Sequence, residues 1–193
     1  MTRLELFQIL RPIVESVTGL TNAVILADQT IVLPDGSVVG APAPVGPYAA
    51  IEPKQRVGER GQANIYNKTS TTPQSVDVDV RAQIMVDASV NFYRGDDPMG
   101  LASKLKQCNK KPTISAALFQ AGLGWFGTEA VNDLSTLISG NIERRAQITL
   151  HLAYEATDSE TINSIEFAGY EVQREDGTVM ASGEIPPLMT EQL

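Results

Sequence analysis

The run over residues 76–93 constrains the fold more than any other part of the chain. Val76, Val78, Val80, Ile84, Val86, Ala88, Val90 and Phe92 all fall on even numbers, and a period of two puts them on one face of an extended backbone. This predicts one long strand, bent near Arg81, in the middle of a sheet. A second alternation covers 141–154. Ala146, Ile148, Leu150, Leu152 and Tyr154 share one face of it, and Arg145, Gln147, Thr149, His151 and Ala153 the other. The first face seals a core, while the second is polar and suits water or another protein equally well.

The helices are written in a different period. Leu6, Ile9, Leu10, Ile13, Val14 and Val17 recur at helical spacing, predicting an amphipathic helix that stops before Gly19 and kinks or restarts at Pro12. Asp97-Pro98 opens a second helix as N-cap and first residue, with Leu101, Leu105 and Cys108 on its inner face. A third covers 113–121 and stops at Gly122.

Between these lie a short strand at 23–27 and a hairpin of 30–33 with 37–39. A stiff Pro-rich connector follows at 41–47, and then a strand over 48–57. Residues 58–75 form either a mobile loop or the tip of a long hairpin. Gly124-Trp125-Phe126-Gly127 opens a strand or a turn. Residues 162–175 pair with 178–185 through Asp176-Gly177, a strong hairpin signal, and an extended tail leaves from Glu184. The order predicts an α+β fold: a mixed, mainly antiparallel sheet with helices packed on one face, plus extended hairpins and a C-terminal tail. No linker divides the chain. One domain is therefore expected over 1–193, with its core at about 1–155 and an added hairpin and tail at 156–193.

Chemistry is sparse. The formal charge of −8 argues against a basic nucleic-acid footprint. The single cysteine, Cys108, cannot form an internal disulfide and reads as a half-buried helix residue compatible with a reducing cytoplasm. The single histidine, His151, has no Gly-x-Ser-x-Gly elbow to serve and reads as a polar-face residue. Asp77, Asp79 and Asp87 share a strand face but lack the spacing of a calcium loop, so they read as solvated. Lys104, Lys106, Lys110 and Lys111 read as a solvated helix face. No phosphate-cradling glycine loop is present. No apolar window approaches the ~20 residues of a membrane span, and MTRLELFQIL lacks the pattern of a secretory leader. The expectation is a soluble intracellular protein with no catalytic residues, no metal and no cofactor, whose function lies in contacts.

The order of segments resembles the bacteriophage tail terminator and neck (gateway) proteins. The amphipathic first helix is followed by Val24-Ile25-Leu26-Ala27-Asp28-Gln29 and by Pro47-Tyr48-Ala49-Ala50-Ile51. The long strand ends in Val90-Asn91-Phe92-Tyr93-Arg94-Gly95. Then come Gly122-Leu123, Val131-Asn132-Asp133-Leu134 and Glu143-Arg144-Arg145-Ala146. The resemblance covers about 5–155. It departs from the family where Arg94 stands before the glycine, and in the added hairpin and tail.

The resemblance implies a structural virion protein, assembled in the host cytoplasm. It forms a ring, commonly a hexamer, that caps the tail tube and, in contractile tails, the sheath. The implied partners are further copies of itself, the tube protein, the sheath protein and the neck or head-completion proteins. DNA passes through the lumen without specific binding, and an acidic lumen would repel its phosphates. A ring needs a heterologous interface, for which Glu143, Arg144, Arg145, Trp125 and Phe126 are the candidates. A head-completion or baseplate subunit of the same virion is the nearer alternative, and a small metal-dependent hydrolase using His151 with nearby aspartates the more distant one.

Overall fold

The structure is a computed structural model that describes residues 1–54, 58–69, 75–138, 140–163 and 168–185. In chain order the elements begin with α1 (Arg3–Thr18), β1 (Val24–Leu26), β2 (Thr30–Val32), β3 (Val38–Gly40), β4 (Tyr48–Pro53), β5 (Gly58–Glu59), β6 (Asn64–Thr69) and β7 (Ser75–Tyr93). They continue with α2 (Pro98–Cys108), α3 (Pro112–Gln120), β8 (Leu123–Thr128), β9 (Asn132–Asp133), β10 (Thr136–Ile138), β11 (Asn141–Glu143), β12 (Arg145–Asn163), β13 (Ala168–Gln173) and β14 (Val179–Ile185). The chain divides into two compact units, Met1–Gln62 with Ala82–Ala156, and Ala63–Arg81 with Thr157–Leu193. Strands β7 and β12, 19 residues each, contribute to both.

In the first unit the strand order is β1-β4-β7-β12-β8, with β5 on β7 and β9 on β12. The β1–β4 pair is parallel, while β4, β5, β8 and β9 join their partners antiparallel. The sheet is thus mixed and mainly antiparallel. Val86, Ala88, Val90 and Phe92 of β7 and Ala146, Ile148, Leu150 and Leu152 of β12 are buried in one cluster. Leu6, Leu10 and Val14 of α1, Ala102, Leu105 and Cys108 of α2, and Ile114 and Leu118 of α3 complete it. All three helices therefore cover the even-numbered face, and the α+β architecture is the one the alternation predicts.

Helix ends follow local chemistry. Thr2 and Glu5 form a capping box at the start of α1, and Gly19 closes it in the left-handed conformation at φ 78°, where an added Cβ would be strained. The helix runs unbroken through Pro12, contrary to a restart there. Pro12 removes the usual donor to the Gln8 carbonyl, and both residues lie on the exposed side of the helix, where water can serve that carbonyl. Asp97 caps α2 by accepting from the Gly100 N–H at 2.8 Å. On the inner face of α2, Ala102 is fully buried and Leu101 only partly, and Cys108 is fully rather than half buried.

In the second unit β6 pairs with the start of β7, from Asn64↔Arg81 to Thr69↔Val76. The hairpin reading of 58–75 therefore holds where it is described, and its tip at 70–74 lies outside the described residues. Asp79 is buried rather than solvated. Its carboxylate is held by Lys68, by Arg81 at 3.2 Å and by the Ser159 hydroxyl at 2.8 Å. The Lys68 and Ser159 hydrogen bonds, with Arg81 adding to them, bring its pKa down to about 2. The terminal hairpin is β13 with β14, shorter than expected because Ile162 and Asn163 still belong to β12. The expected tail beyond Ile185 lies outside the described residues.

Candidate assembly surface

The face of the first unit's sheet opposite the helices is built from the odd-numbered residues of β7 and β12. Side chains meet across these strands in falling and rising order. Arg145 Nη2 donates to Asn91 Oδ1 at 2.9 Å, Gln147 Nε2 to Ser89 Oγ at 2.8 Å, and His151 Nδ1 lies 2.7 Å from Asp87 Oδ1. Asn91 Nδ2 also donates to Ser89 Oγ, joining the first two pairs. Ser89, Asn91 and Thr149 are buried, and each buried amide or hydroxyl that is paired avoids a desolvation penalty of about 1–3 kcal/mol. This face is therefore a preorganised polar ladder rather than a loosely solvated one.

An aromatic and arginine cluster closes one end of the ladder. Tyr48 of β4 and Tyr93 of β7 stack with ring centroids 4.7 Å apart, and the Arg145 guanidinium lies over the Tyr93 ring at 4.8 Å. Arg94 reaches over Tyr48 at 5.6 Å, donates to the Pro44 carbonyl at 2.8 Å and stands 3.6 Å from Glu143. Burial, with Tyr93 beside it, raises the Tyr48 pKa above the usual phenol value, so the hydroxyl stays neutral at physiological pH.

The candidate residues fall around this cluster. The expected single strand over 141–154 is two strands, broken at Arg144. There the Arg144 carbonyl accepts from the Arg94 N–H at 2.9 Å, and its guanidinium donates to the Asp96 carbonyl at 2.5 Å. Arg144 is exposed, while Glu143 and Arg145 are half buried. Glu143, Arg144 and Arg145 are thus together, within reach of the turn that follows β7.

Trp125 and Phe126 lie elsewhere, on strand β8 rather than on a turn, and they part company. The β8–β12 register shifts between His151 and Leu152. Trp125 is opposite Leu152 and packs against the core, with its indole N–H donating to the Gly127 carbonyl at 2.9 Å. Phe126 is the extra residue of the bulge. It stands 56% exposed on the polar face, its ring 5.9 Å from that of His151. Sequence reasoning missed Tyr48, Tyr93, Asn91 and Ser89. For the last three the signal was available in the odd-numbered positions of 83–93, the complement of the alternation that revealed the core, whereas Tyr48 comes from β4.

Among the described residues no three or more His, Cys, Asp or Glu side chains converge to hold a metal ion, and no helix is long and apolar enough to cross a membrane. Asp87 and His151 form a pair, and the ring of His151 is taken up by Phe126.

A search of curated proteins returns no match. Among solved structures, a chain described as "Virion of native gene transfer agent (GTA) particle" is similar at 15% identity. The match covers 78% of this chain and 91% of that one, with a TM-score of 0.32, too slight a likeness to bear on the site. The family model described as "Phage neck terminator protein" matches residues 4–176. That span holds the first helix, both long strands and the arginine cluster, and the chain belongs to the phage neck terminator family, structural proteins of the virion that end the tail at the neck.

Proposed function

We propose that copies of this chain, six in number, close into a ring that caps the last ring of tube protein. Where the tail contracts, the same ring caps the sheath, and its other side receives the neck and head-completion proteins. Assembly takes place in the host cytoplasm. The observation that carries this reading is the face opposite the helices, where Arg144 and Arg145 donate to a backbone carbonyl and to Asn91. Among the described residues neither has a carboxylate partner. A guanidinium with donors to spare suits a carboxylate on a neighbouring copy. Phe126, exposed at the other end of the same face, suits a packing contact.

The acidic balance fits a lumen that DNA crosses without sticking, because like charge repels phosphate over roughly the 8 Å Debye length of physiological salt. A strongly basic lumen in an assembled ring would overturn that part. The chain is read as a non-enzyme. Asp87 and His151 serve to fix the surface, with the carboxylate orienting the ring against Phe126. The ring itself is tested by measuring the mass of the purified protein alone and with tube protein.

A further inference from the structure

Charge is divided unequally along the chain. Residues 157–193 carry eight acidic residues and one basic residue, Arg174, so nearly all of the formal −8 resides there. The part of this arm that is described includes β13 and β14, a two-stranded ribbon. Its Val172, Val179 and Met180 are exposed, as are Glu171 and Glu175. A lone two-stranded ribbon is marginal in water and gains stability from a second layer. On the first unit, Arg94, Arg144 and Arg145 gather at one end of the sheet, with Glu143 the acidic side chain 3.6 Å from Arg94.

From this complementarity we propose that the acidic arm of one copy docks on the Arg94, Arg144 and Arg145 cluster of the next copy in the ring. The inference rests on the ring reading and deepens it. It assigns the two unlike patches that a heterologous interface requires: the arm, with Glu171 and Glu175, on one copy, and the arginine cluster beside Tyr48 and Tyr93 on the other. Oppositely charged surfaces steer subunits together and suppress wrong pairings. The contact therefore weakens as salt rises from about 0.05 M to about 0.5 M.

The test is a charge-reversal cycle on the full-length protein. Arg144→Glu changes an exposed side chain, and Glu171→Lys with Glu175→Lys changes two more. Sedimentation measures assembly, and thermal melting monitors the fold of each variant. Each reversal alone should weaken subunit association by at least about tenfold, and the combined variant should regain most of the loss. Reversals that assemble like the unmodified protein, or a combined variant no better than either, would overturn the arm contact and leave the ring standing. Rescue seen only in the melting of a monomer would mean that the arm folds onto its own chain, and would also overturn it. An unmodified protein that stays monomeric, with and without tube protein, would remove the ring reading and this inference together.

Discussion

Arg94 and Gly95 turn the chain out of β7 with φ of 60° and 80°, both in the region that disfavours a side chain. Arg94 is held there by the Arg144 and Pro44 carbonyls and by Glu143. Gly95 has no such freedom to spare, because a Cβ would lie 3.2 Å from the Pro47 ring. Gly95→Ala should therefore cost about 1–3 kcal/mol, read from the midpoint of chemical denaturation. Asp79 gives a pH prediction. Its folded pKa of about 2 lies below the ordinary 3.8, so its ion pairs stabilise the fold above about pH 4, and that contribution disappears as pH falls toward about 2. Melting followed from pH 5 to pH 2 should show a loss that Asp79→Asn reduces. At this scale legibility was uneven. Asp97-Pro98 announced its cap because capping is local. The burial of Asp79 was hidden, because its ligands Lys68 and Ser159 come from two other strands.

The two long strands hold the first unit together. Ile148 and Leu150 of β12 are each 1% exposed and lie in the cluster that α1, α2 and α3 cover. Ile148→Ala should cost about 2–5 kcal/mol, as buried aliphatic truncations do, measured by denaturation in urea. The even-numbered alternation made β7 legible along its whole length and gave the buried half of β12. It failed past Tyr154, where Glu155 to Thr161 show no apolar row. The strand continues there through cross-strand bonds such as Thr161 Oγ1 to Asp77 Oδ1 at 2.6 Å, which leave no periodic mark. The break at Arg144 was equally hidden, because it answers to the backbone of Arg94, far away in sequence. Trp125 and Phe126 are neighbours in sequence and both interface candidates, and only the bulge separates them. Phe126→Ala should leave the melting temperature within about 2–4 °C, as an exposed surface change does, while weakening association in sedimentation.

For the whole molecule, the acidic charge, the arginine cluster and the family each bear on assembly, and none of them on catalysis. Short apolar hairpins add to this. Leu137 and Ile142 face each other across β10 and β11 and are 68% and 72% exposed, as expected of a ribbon that gains its second layer from a neighbour. The fold class was legible because it follows from the order of periods along the chain. The number of copies was not, because a ring is fixed by the angle between two surfaces and no single sequence records that angle. Native mass measurement of the full-length protein, alone and with tube protein, tests the central claim directly. The account predicts a discrete six-copy species in at least one of the two conditions, and a protein that remains monomeric in both would contradict it.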